Sequence, residues 1–125
     1  MTRRARLRYV LAAAMVTVGV LHFVATGWFV QIVPAVLPAP AALVLVSGAF
    51  EILGGVGLLV PRARRAASIG LVLLYVAVFP ANINMIVDPR ASHGAAPWLL
   101  WARLPLQALF IAWALYVGRD PRPDE

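Results

Sequence analysis

A carboxylic acid in the middle of an apolar run is the first residue here whose chemistry needs an account. Glu51 sits in SGAFEILGGVG, Ser47–Gly57, with glycines on both sides. An ionised carboxylate at membrane depth costs about 2.5–3.5 kcal/mol on insertion scales, so it requires a partner. The candidate is Arg103, inside another apolar run, with Gln107 four residues on and on the same helical face. His22 and Asn82 are embedded in two further apolar runs. These groups support three readings. Glu51 and Arg103 form a buried salt bridge that fixes helix register. Alternatively, Glu51, Arg103, Gln107, Asn82 and His22 bind a ligand or a partner's transmembrane helix. In the third, Arg103 snorkels to an interface and Glu51 is neutral.

Other chemistries fit less well. One buried histidine and one carboxylate fall short of the three protein ligands usual in a catalytic zinc site, so no metal is expected. Gly54-Gly55-Val56-Gly57 lies inside an apolar helix and not between a strand and a helix, so it is no dinucleotide loop. His93 falls in a polar loop and is expected to be solvated. With no cysteine there is no disulfide, thiol relay or cysteine-ligated cluster.

The positioning elements follow from hydropathy. Of the 125 residues 62% are hydrophobic and 13% charged, and mean hydropathy is +0.86. Soluble domains are about a quarter charged, so this is membrane composition. A spanning helix needs about 20 apolar residues, and four with short loops use nearly the whole chain, leaving no room for a soluble catalytic domain. The spans are expected at about 9–30, 42–60, 66–87 and 98–117, after a basic head, 1–8, and before a charged tail, 118–125, that is expected to be disordered. The first run is long for a signal core and lacks a clean cleavage site, which favours a retained helix over a signal peptide. Pro34, Pro38 and Pro40 make 31–41 a connector, since proline has no amide proton to donate. The turn Pro61–Arg65 is too short for anything but antiparallel neighbours. Pro80 interrupts the third span, where Asn82 or Asn84 is expected to satisfy the freed carbonyl.

Net charge is +6, and every basic residue is arginine. Arginines at the ends of apolar runs fit an orientation signal, not a nucleic-acid patch. Nine of them, in the head, the 61–65 turn and the tail, fall on one side of a four-span arrangement, against Arg90 in a loop on the other. The positive-inside rule then makes both termini cytoplasmic. The expected fold is an all-α, four-transmembrane-helix antiparallel bundle in the bacterial cytoplasmic membrane. By rise per residue, all four spans bring polar groups to overlapping depths. Gly48, Glu51 and Gly55 share one face, and the glycines admit another backbone close to the acid. Gly19, His22 and Thr26 share a face on the first span.

Four pieces in order, SGAFEILGGVGLLVP, the basic turn with AASIGL, VFPANINM and RLPLQ, resemble the DoxX family of small four-helix membrane proteins. The resemblance runs from about His22-Phe23 through most of the chain. It implies a four-helix bundle and matches Glu51, Asn82, Arg103 and Gln107 to recurring family positions. Some relatives are linked to thiosulfate:quinone oxidoreductase, others to membrane-associated oxidative-stress complexes, and distant animal relatives assist the assembly of receptor subunits. The absence of cysteine departs from any self-contained thiol chemistry.

The expectation is an accessory or binding protein with an intramembrane polar pocket, not catalytic on its own and without a tightly bound cofactor. The alternative is the membrane subunit of a quinone-linked oxidoreductase, with His22 or Glu51 as proton donor and electrons from a membrane or soluble partner. Expected partners are the lipid bilayer, such an oxidoreductase and a second copy of the chain, with no nucleic acid. A transporter or channel fits less well, because an acid–base pair would plug so narrow a bundle.

Overall fold

The structure, a computed structural model, describes residues 1–119. The charged end of the expected tail, 120–125, lies outside the described residues. Five helices follow in order: α1 Arg3–Val24, α2 Thr26–Val30, α3 Pro40–Leu59, α4 Arg64–Val87 and α5 Pro97–Val117. The four long ones are long and apolar enough to cross a membrane.

Local chemistry sets the boundaries. Thr2 caps α1, its hydroxyl accepting from the Ala5 amide at 3.1 Å, so the basic head is wound into the helix from Arg3 on. The run expected at 9–30 divides at Ala25, which leaves the helical region at φ −117°, ψ 41°. The Thr26 hydroxyl donates to the carbonyls of His22 at 2.8 Å and Phe23 at 3.1 Å, competing for the groups that would continue the helix. Proline opens both α3 (Pro40) and α5 (Pro97), where its missing amide proton costs nothing. Pro80 and Pro105 are accommodated inside α4 and α5.

Side-chain registers make every neighbouring pair antiparallel. Along α1 and α3, a Cβ added at Gly48 would lie 2.6 Å from His22 Cβ, and one at Gly55 would lie 2.9 Å from the Ala12 carbonyl. Along α3 and α4, a Cβ at Gly54 would meet Leu71, and one at Gly57 would meet Ala67. Ser68 and Ala114 register α4 against α5, the serine hydroxyl donating to the Ala114 carbonyl at 2.7 Å. The helices therefore stand in the cyclic order α1, α3, α4, α5, with α3 and α5 on one diagonal.

The two ends are tied differently. At the arginine-rich end, Arg8 Nε donates to the Val117 carbonyl at 2.9 Å, Arg64 Nε to the Leu58 carbonyl at 2.9 Å and Trp113 Nε1 to the Leu7 carbonyl at 3.0 Å. The first two satisfy carbonyls that α5 and α3 leave open at their C-termini, where positive charge is also favoured by the helix dipole. Beneath them Leu11, Met15, Leu58, Leu71, Ala114 and Val117 form one core cluster. At the far end the connectors supply the ties. Asn84 Nδ2 donates to the Ile32 carbonyl at 3.1 Å, and His93 Nε2 to the Trp28 carbonyl at 3.0 Å. His93, expected to be merely solvated, also stacks on the Trp28 ring at 4.3 Å. A second, smaller cluster, Ile32, Met85, Ala91 and Leu100, closes this end.

Candidate functional site

Between the two clusters lies a cavity of about 420 Å³. His22, Glu51, Asn82, Arg103 and Gln107, the five residues singled out from the sequence, all line it. Most of the remaining wall is apolar or aromatic, including Phe29, Val44, Tyr75 and Phe110. Small-molecule sites have this character, with apolar walls, a few convergent polar groups and about 300–1,000 Å³ of volume.

The polar groups form two half-sites. On the α4–α5 side they make a chain. Arg103 Nη2 donates to Asn82 Oδ1 at 3.4 Å, Asn82 Nδ2 donates to Gln107 Oε1 at 3.1 Å, and Gln107 Nε2 donates to the Tyr75 carbonyl. Every member but Arg103 is buried. Tyr75 precedes Val76, whose carbonyl Pro80 cannot serve, so Gln107 bonds the backbone one residue before the carbonyl that the proline frees. The sequence assigned the freed carbonyl to an asparagine. Instead Asn82 turns to Gln107 and Asn84 to the Ile32 carbonyl.

On the α1–α3 side, His22 Nδ1 donates to the Val18 carbonyl at 2.8 Å and its ring stacks on Phe29 at 3.9 Å. Glu51 Oε2 lies 3.2 Å from the same nitrogen, but the ring has one proton there and Val18 takes it. The contact is therefore a close approach and not a hydrogen bond. Oε2 is buried and has no hydrogen-bond partner. The backbone that the glycine face admits beside Glu51 is α1: Gly48 leaves room for His22, and Gly19 for the Gly48 carbonyl.

The expected salt bridge between Glu51 and Arg103 is not formed. Among the described residues, the ionisable neighbour of Glu51 within 4 Å is His22. The reason is architectural, since α3 and α5 occupy a diagonal and the cavity lies between them. Arg103 Nε, like Glu51 Oε2, is buried without a hydrogen-bond partner. Each such atom costs about 1–3 kcal/mol when desolvated and unmatched. The cavity wall thus carries a carboxyl and a guanidinium group, on opposite helices, that do not satisfy each other. Tyr75 closes the cavity toward the arginine-rich end, its hydroxyl donating to Met15 Sδ at 2.8 Å across the other diagonal. Sequence reasoning left Tyr75 and Phe29 unassigned, because an aromatic in an apolar run carries no signal separating cavity wall from core.

Fold and site together define a multi-pass helical membrane protein with a polar cavity inside the bundle. The chain belongs to the family described as domain of unknown function DUF8561, whose profile matches residues 11–118 and so spans every residue lining the cavity. No curated protein and no solved structure matches it.

Proposed function

We propose that this is a DoxX-like accessory protein of the bacterial cytoplasmic membrane, with both termini cytoplasmic, that binds a small amphipathic molecule within its helix bundle. The observation that carries the reading is that Glu51 and Arg103, not paired with each other, both line one cavity whose remaining wall is mostly apolar. Glu51 and Arg103 orient the polar end of the molecule. Asn82 and Gln107 hold the arginine in place, and His22 backs the carboxyl group. A partner's transmembrane helix is the less favoured occupant, because a cavity of about 420 Å³ inside a single bundle suits a small molecule better than another helix.

The test is native mass spectrometry of the mildly solubilised protein, wild type beside Arg103→Ala. The wild type is expected to carry a discrete small-molecule mass that the folded variant loses. Two folded proteins carrying nothing beyond bulk lipid would sink the reading and leave the polar network as architecture.

The ring stack of Phe29 on His22 favours one alternative, in which the bound molecule is a quinone and the chain is the membrane subunit of a quinone-linked oxidoreductase. A flat ring would extend that stack. A quinone mass in the same experiment, and a co-purifying oxidoreductase supplying electrons, would select it.

A further inference from the structure

We infer that the cavity opens sideways into the bilayer between α3 and α4, and that its occupant is a hydroxyl-bearing amphiphile drawn from the membrane. This rests on the cavity being a ligand site. It adds the route and the head-group chemistry.

The route follows from where α3 and α4 touch. Over the arginine-rich half, Gly54 and Gly57 let α4 come so close that an added Cβ would lie 2.5 Å from Leu71 Cδ2 and 2.7 Å from Ala67 Cβ. Further along, the α3 glycines that face α4 stop, and bulkier α3 side chains take their place. There Leu43, Val46 and Phe50 on α3, and Ala77 and Pro80 on α4, line the cavity and are also exposed on the outer surface of the bundle. Phe50 is 57% exposed and Val46 53%. These positions lie within helices apolar enough to span a bilayer, so the surface they open onto is lipid and not water. The buried groups His22, Glu51, Asn82 and Gln107 sit behind this apolar mouth. A membrane-dissolved molecule meets this opening directly.

The head group follows from the two ionisable side chains on the wall, Glu51 and Arg103. A carboxylate accepts hydrogen bonds and a guanidinium donates them. A hydroxyl is both donor and acceptor, so it suits either group and answers the carboxyl group in either protonation state. Its hydrocarbon tail runs out between Phe50 and Pro80.

The experiment uses the full chain reconstituted in phosphatidylcholine vesicles, with a long-chain bromoalkanol as probe and the matching bromoalkane as its hydroxyl-free control. The bromine isotope doublet identifies either probe in a native mass spectrum. The wild type is expected to retain the alkanol and not the alkane, and Arg103→Ala to retain it about tenfold less, the loss of one charge-assisted hydrogen bond. Ala77→Trp, which fills the mouth, is expected to slow uptake severalfold, and Phe50→Ala, an exposed truncation that spares the core, to speed it. Leu109→Trp, exposed on α5 away from the cavity, should leave uptake unchanged. Equal retention of alkane and alkanol would overturn the head-group assignment. Uptake indifferent to both Ala77→Trp and Phe50→Ala would overturn the route, even where the wild type carries a native ligand that Arg103→Ala loses. A wild type that carries neither native ligand nor probe removes the binding reading itself, and the inference with it.

Discussion

Two glycines with opposite surroundings separate packing from propensity. At Gly48 an added methyl would lie 2.6 Å from His22 Cβ and 3.0 Å from the Gly19 carbonyl, so α1 and α3 would have to part. At Gly70, on the lipid side of α4, nothing lies within 4 Å. Gly48→Ala is expected to destabilise the protein by about 1–3 kcal/mol, the usual cost of overpacking. Gly70→Ala is expected to stabilise it by roughly 0.5–1 kcal/mol through helix propensity. Thermal melting of both in the same detergent checks the sign of each. The relay Arg103–Asn82–Gln107–Tyr75 gives a second residue-scale expectation. Hydrogen bonds between membrane helices average about 0.6 kcal/mol and reach about 1.7, so Gln107→Leu, which breaks two, should cost about 1–2 kcal/mol. Asn82→Leu with Gln107→Leu should cost less than the sum of the single changes, because they share a bond. A double-mutant cycle that proves additive would mean the two side chains do not act as one network.

At the scale of elements, the arginines do two jobs that substitution can separate. Arg8 closes the C-terminus of α5 through the Val117 carbonyl, while Arg6 is exposed on the same helix. Arg8→Ala should therefore fray the last turn of α5, raising amide hydrogen exchange over 114–117 and costing about 0.5–1.5 kcal/mol. Arg6→Ala should leave that exchange unchanged. The sequence made the four long helices legible because 20 apolar residues bounded by arginine or proline admit few other readings. It made the depth of the polar groups legible because rise per residue is fixed. It could not tell which helix stands opposite which. Hydropathy fixes a helix's length but not its neighbours, so Glu51 was matched to the one arginine at its depth when that arginine lies across a diagonal. The break at Ala25 was illegible for another reason. Thr26 is an ordinary helical residue until its hydroxyl takes the carbonyls of His22 and Phe23.

For the whole molecule, the arrangement of arginines makes orientation testable, and the absence of cysteine makes the test clean. If both termini are cytoplasmic, as proposed, a membrane-impermeant thiol reagent applied to intact cells should label Ser92→Cys in the 88–96 loop and spare Arg62→Cys in the 61–65 turn. Labelling of Arg62→Cys alone would reverse the proposed orientation. The cavity's position between two packed clusters has a further consequence. It is a vacancy in what would otherwise be one continuous interior, so the most stable sequence for this backbone is not the present one. Ala81→Leu should fill part of the gap, raise the melting temperature and abolish ligand retention together. Variants selected only for thermal robustness should drift toward such fillings, and the surviving hollow would then mark descendants still under selection for what it holds.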